Sequence, residues 1–237
     1  MYQMINRTVI FIDGQNFKKN LGTFAFSTSP GGPEYRLNEK HFQWQKFFTN
    51  LVAKFDRDNV VHSLLRVYWY NADDVTSWRD YPKDILSAMR ECRRRVPSTT
   101  LTEVYDFQDC AGAARQYRGT RVGEKGVDLG IAVDMMGKMA GYDTAILVSG
   151  DADFMPVVRH LKDNLRSVYQ FSVAKGVPPN IQYLSADLKV HVDAFRHFDE
   201  LELLKDYLDR SRALIRIPDS VMVAIDARVN ELEAMAK

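Results

Sequence analysis

Leu147-Val148-Ser149-Gly150-Asp151-Ala152-Asp153-Phe154 is the stretch from which the rest of the chain is best read. An apolar run, Ala145 to Val148, stops at Ser-Gly-Asp. Two carboxylates follow, spaced by one residue, and an apolar helical pattern then begins. A short apolar run bounded by turn residues fits a strand buried on both faces. Its C-terminal end then delivers acids into the crevice where open α/β sheets bind their ligands.

Working outward, the same grammar recurs. Thr8-Val9-Ile10-Phe11-Ile12 is a second unalternated apolar run and ends at Asp13-Gly14. Gly14 permits a sharp turn into a short helix. Val60 to Tyr70, Thr100 to Phe107 and Ser167 to Val173 read as further strands, and Val190-His191-Val192 as a last short one. Between them lie helical patterns. One follows Asn38, with Phe42, Phe47, Phe48, Leu51, Val52 and Phe55 on its inner face. Another starts near Pro82. A third opens at Gly126-Val127-Asp128 with Leu129, Ala132, Val133, Met136 and Ala140 expected inside, ending at Gly141. Two more run from Phe154 to Asn164 and from Ile181 to Leu188. Residues 27–36 read as a loop, and residues 110–125 as a loop or hairpin rich in Gly, Arg and Lys. Alternation of strand and helix predicts an open parallel α/β sheet in three layers, with helices on both faces. From Arg196 onward the pattern is helical and charged, closing on an amphipathic helix, Val221 to Ala236. The expected organisation is therefore a domain over residues 1–195 and a C-terminal helical extension over 196–237, able to pack on the domain or to join copies into a homo-oligomer.

Bulk properties exclude several classes. The chain has 237 residues, 46% hydrophobic and 27% charged, which is an ordinary globular composition. A net charge of +1 means that an anionic partner must be held by local patches. No apolar run has the length of a membrane span. Met1 to Arg7 leads almost directly into a strand, so no signal peptide is expected. The 2 Cys, Cys92 and Cys110, lack metal-ligand spacing and fit reduced thiols, which points to the cytoplasm.

Four acids stand out. Asp13 ends one strand, Asp151 and Asp153 follow another, and Asp128 opens the helix before it. If the strand ending at Asp13 lies beside the strand ending at Val148, all four carboxylates converge. At an effective dielectric near 20, two like charges about 4 Å apart repel by roughly 4 kcal/mol. A divalent cation removes that cost, and hard oxygen donors suit Mg²⁺ or Mn²⁺. Each acid also has a plain structural reading. Asp153 caps the helix at Phe154, Asp128 is a first-turn acid on its own helix, and Asp13-Gly14 is turn chemistry. Their conjunction at one sheet edge favours a metal site. Asp134, six residues beyond Asp128, reads as solvated or supporting.

The ordered set Phe11-Ile12-Asp13-Gly14-Gln15-Asn16-Phe17, Glu124-Lys125-Gly126-Val127-Asp128-Leu129, Ala132-Val133-Asp134-Met135 and Leu147 to Phe154 resembles the NYN domain of the LabA-like group, a PIN-like family. The likeness covers residues 7 to 195. It implies a five- or six-stranded parallel, Rossmann-like sheet and a Mg²⁺- or Mn²⁺-dependent ribonuclease site. The implied ligands are Asp13, Asp128, Asp151 and Asp153. Asn16 is implied to orient a water or a ligand carboxylate, and Lys125 to contact the scissile phosphate. The 27–36 stretch and the C-terminal tail depart from the family pattern.

Arg115, Tyr117, Arg118, Arg121 and Lys125 interleave cations with an aromatic just before Asp128, which suits single-stranded RNA. Arg90, Arg93 and Arg94 fit a helix C-terminus without further role. A non-catalytic RNA-binding or regulatory module is the second reading. A haloacid dehalogenase-type phosphatase ranks lower, because Gln15 stands where its acid/base aspartate belongs. A P-loop is lower still, because Gly119 to Gly126 lacks the Gly-Lys-Ser/Thr ending.

Overall fold

The fold is known from a computed structural model that describes residues 4–29, 31–57, 59–70, 127–179, 187–210 and 216–236. Among the described residues five strands form one sheet: β1 (Met4–Asp13), β4 (Val60–Tyr70), β5 (Thr144–Val148), β6 (Ser167–Val173) and β7 (Ala194–Phe198), in the order β4-β1-β5-β6-β7. Every pairing is parallel. All C-terminal strand ends therefore share one edge, and β1 lies against β5 as the convergence of acids requires. The run Thr8–Asp13 of β1 and the whole of β5 are buried, which is why neither alternates in polarity.

Side chains of β1 alternate between two cores. Ile10 and Ile12 face one side, Val9 and Phe11 the other. The first side is covered by α1 (Gly14–Leu21), α2 (Trp44–Ala53) and α5 (Asp219–Met235). The second is covered by α3 (Val127–Gly137) and α4 (Met155–Asp163). Aromatic residues dominate the first side. Trp44 sits 5.2 Å from Trp69 and 5.0 Å from Phe47 between ring centroids, both edge-on. Such pairs each add about 0.5–1.5 kcal/mol beyond simple burial.

Several expectations need correction. The 27–36 stretch is not all loop: β2 (Ala25–Ser27) and β3 (Glu34–Arg36) pair as a small antiparallel hairpin. Asn38 caps a single 3₁₀ turn, Glu39–His41, and α2 starts later at Trp44. The last strand is Ala194–Phe198, whereas Leu188–Val190 is a 3₁₀ turn with Val190 exposed. Strand β7 therefore includes Arg196, where helix was expected. Helix α3 is rotated from its expected setting: Val127, Gly130, Ile131, Asp134 and Met135 are buried, while Leu129 is 62% exposed. It ends at Gly137, and Gly141 closes a following 3₁₀ turn. The helix near Pro82, the strand at 100–107, the stretch 110–125 and most of the Ile181–Leu188 helix lie outside the described residues.

The C-terminal helix packs on the domain. Val221, Ile225, Val229 and Leu232 repeat at helical spacing and are buried in the same core as β1 and α2. Glu200, 2% exposed, accepts two hydrogen bonds from Arg228 at 2.9 Å and one from the Gly176 N–H at 2.7 Å. A buried carboxylate held by three donors is stable where an unpaired one would not be.

Candidate functional site

Asp13 is the last residue of β1 and caps α1, its Oδ1 accepting the Asn16 N–H at 3.0 Å. It is 4% exposed. Gly14 is required next to it. A Cβ there would stand 2.4 Å from the Tyr70 carbonyl oxygen and 2.5 Å from Trp69 Nε1, inside both van der Waals radii. The close approach of the α1 start to the end of β4 thus fixes where Asp13 emerges.

The pairing of Ile12 with Val148 sets Asp13 level with Ser149 on β5's exit. The Ser149 hydroxyl donates to Asp13 Oδ2 at 2.9 Å and accepts the Asp151 N–H at 3.1 Å. Asp151 in turn caps the 3₁₀ turn Ala152–Phe154, its Oδ1 accepting the Asp153 N–H at 2.9 Å. Asp151, not Asp153, is therefore the capping acid, and Asp153 is exposed. Asn16 bridges the two loops: its Oδ1 accepts the Gly150 N–H at 3.2 Å. These bonds lock the Asp13 turn onto the Asp151 turn, the Ser149–Asp13 link being buried and the rest part-buried or exposed.

Asp128 arrives on the first turn of α3. That helix is anchored by Asp134, which is buried, accepts the Tyr70 hydroxyl at 2.7 Å and pairs with Lys138. Tyr70 is the residue opposite Asp13 across β4 and β1. Asp134 is thus a support and not a solvated acid. Of the two sequence readings of Asp134, solvated or supporting, the second holds; its partner hydroxyl comes from a distant strand. Ser149 carries no role in the sequence reading, although it stands in the motif next to Asp151; its hydroxyl links the turns of Asp13 and Asp151.

The electrostatics show that three segments share one field. The Asp128 carboxyl is pushed up to about 6, first by burial and then by the charges of Asp13, Asp151 and Asp153. Asp13 is also raised, mainly by burial, against the lowering effect of the Asn16 N–H and the Ser149 hydroxyl. Four hard oxygen donors with mutual repulsion have the chemistry to take a hard divalent cation. The arrangement is open, however: among the described residues no group of three or more His, Cys, Asp or Glu has metal-holding geometry. Arg115, Tyr117, Arg118, Arg121 and Lys125 lie outside the described residues.

A model of the NYN domain matches residues 7–197. The chain belongs to the NYN domain family. NYN domains share a PIN-like ribonuclease fold and are generally nuclease-like. Within the NYN match lie all four acids and the hairpin of β2 and β3; α5 lies beyond it. A solved structure of a protein of unknown function from Vibrio parahaemolyticus RIMD 2210633 is similar, at 18% identity and a TM-score of 0.45, covering 82% of this chain and 94% of that one. No curated protein matches. No helix among the described residues is long and apolar enough to cross a membrane.

Proposed function

We propose that this NYN domain is a metal-dependent ribonuclease that hydrolyses phosphodiester bonds of RNA, single-stranded RNA by preference, at the C-terminal edge of its sheet. The observation that carries this reading is the gathering of Asp13, Asp128, Asp151 and Asp153 at one sheet edge, where burial first and the charges of the other three acids second push Asp128 up to about 6. A structural role for each acid alone gives no reason to collect four at one edge. The same carboxylates would hold Mg²⁺ or Mn²⁺, which supplies Lewis acidity and a bound water of lowered pKa.

The chain's own groups do the positioning. Ser149 holds the Asp13 carboxylate in one orientation by donating to it, leaving the remaining lone pairs of that carboxylate for another partner. Asn16 ties the Gly150 backbone to α1, so Asp13 and Asp151 keep a fixed relation. The Tyr70–Asp134 bond holds α3, and through it Asp128, against the sheet. Lys125, with Arg115, Tyr117, Arg118 and Arg121, takes the substrate phosphates and stacks a base in this reading. The two cysteines, Cys92 and Cys110, have no metal-ligand spacing and fit reduced thiols, which supports a cytoplasmic setting for this reading.

The open geometry of the acids favours one second reading, an RNA-binding NYN module without turnover. Incubation of labelled single-stranded RNA with Mn²⁺ or Mg²⁺ separates the two. Cleavage by the native chain and its loss in Asp151→Asn is the expected result. RNA binding without cleavage under every metal tested overturns the enzyme reading and leaves the binding module.

A further inference from the structure

The ladder between β5 and β6 ends at the pair Leu147 and Gln170. Beyond it β5 leaves the sheet at Ser149, whose carbonyl has passed the last strand partner. The Gln170 side chain takes over there: its Nε2 donates to the Ser149 carbonyl oxygen at 2.8 Å. Gln170 is fully buried, on the same sheet face as Val168 and the α3–α4 core. Its Oε1 is also buried and has no hydrogen-bond partner among the described residues.

That orphaned oxygen decides how the residue is read. A buried acceptor left unpaired lowers stability, and an aliphatic side chain would remove this one only by leaving the Ser149 carbonyl unpaired instead. The amide cannot be turned round to satisfy it, because two acceptors would then face each other at Ser149. What the amide alone supplies is a grip on the Ser149 peptide. That peptide carries the hydroxyl that holds Asp13 and continues into the Gly150 N–H held by Asn16.

We propose that Gln170 is a positioning residue that clamps the Ser149 peptide, and through Ser149 sets the reach of Asp13 and Asp151 toward a divalent cation. The second half of this statement rests on the metal reading above; the clamp itself does not. Groups that orient ligating carboxylates change metal affinity by about tenfold or more when removed.

The test uses the full chain, with Gln170→Met and, in parallel, Gln170→Leu in case the first packs poorly. Amide hydrogen exchange at Gly150 and Asp151, measured without metal, is expected to quicken about fivefold, the worth of one net hydrogen bond. The melting temperature should change little, because the variant removes the orphaned Gln170 acceptor and leaves the Ser149 carbonyl unpaired in its place. Unchanged exchange at both amides overturns the clamp. Mn²⁺ titration followed by calorimetry is expected to show about tenfold weaker binding, with Ser149→Ala masking any further loss in the double variant. Equal Mn²⁺ affinity in wild type and variant, or additive losses, overturns the link to the cation. Faster exchange together with no Mn²⁺ binding by the wild type keeps the clamp and overturns the metal reading.

Discussion

Just before β5, Asp143 meets Arg7; just after it, Asp151 meets other acids. The two places are five strand residues apart and flank the same β1–β5 pair, yet their electrostatics are opposite. Arg7 gives Asp143 hydrogen bonds from its backbone N–H at 2.9 Å, from Nε at 3.0 Å and from Nη2 at 2.9 Å. Asp143 is drawn down to about 2, chiefly by the Arg7 side chain. At the other end Asp128 is driven up to about 6 by burial and like charge. One acid is neutralised by its neighbour and stitches strands together. The others are collected without a described counter-charge, which is costly for folding and useful for holding a cation.

The comparison can be broken most directly on RNA. Asp13→Asn should reduce metal-dependent cleavage by at least about 100-fold, whereas Asp143→Asn should change it by less than about twofold. Comparable losses from both would mean that the two ends do not divide structure from chemistry. A smaller effect is expected on stability. Between the ordinary carboxylate value and about 6 the folded protein holds more protons at Asp128 than the unfolded chain, so stability falls as pH rises through that window. Asp128→Asn should therefore stabilise the metal-free protein by about 1 kcal/mol at pH 7, after allowance for solvent screening, and by nothing at pH 3. Urea unfolding at the two pH values reads this directly. Asp143 should show the reverse and least effect. Its contribution is full above the ordinary carboxylate value and is lost as pH falls through about 2. Asp143→Asn should cost less than about 1 kcal/mol at pH 7, and the difference from wild type should close in acid unfolding.

Strands β1 and β5 were legible because buried parallel strands leave unalternated apolar runs, and β4, largely part-exposed, from its β-branched and aromatic residues. Val60–Tyr70 and Ser167–Val173 match their expected limits, and β1 and β5 differ from theirs only at the ends. Strand β7 was misplaced because Val190 is apolar yet exposed, whereas Ala194–Phe198 interrupts its apolar residues with Arg196 and His197 on a sheet margin. The inner face of α3 was misjudged for a related reason. Hydrophobicity put Leu129 and Val133 inside, but the face is set by Asp134 bonding to Tyr70 and by Gly130 on the buried side. The four acids were found from strand ends alone. The bonds that organise them, Ser149 to Asp13 and Asn16 to Gly150, join residues more than 130 positions apart and leave no local pattern.

The family match stops at residue 197, but the core does not. Ile225 and Leu232 are fully buried against residues that the match contains. A fragment trimmed to the matched residues would expose that apolar bed, and a longer one that kept Glu200 but stopped short of α5 would leave its buried carboxylate without the Arg228 guanidinium that neutralises it. The useful unit for expression is set by this buried seam and not by the limit of family likeness: it has to run through α5.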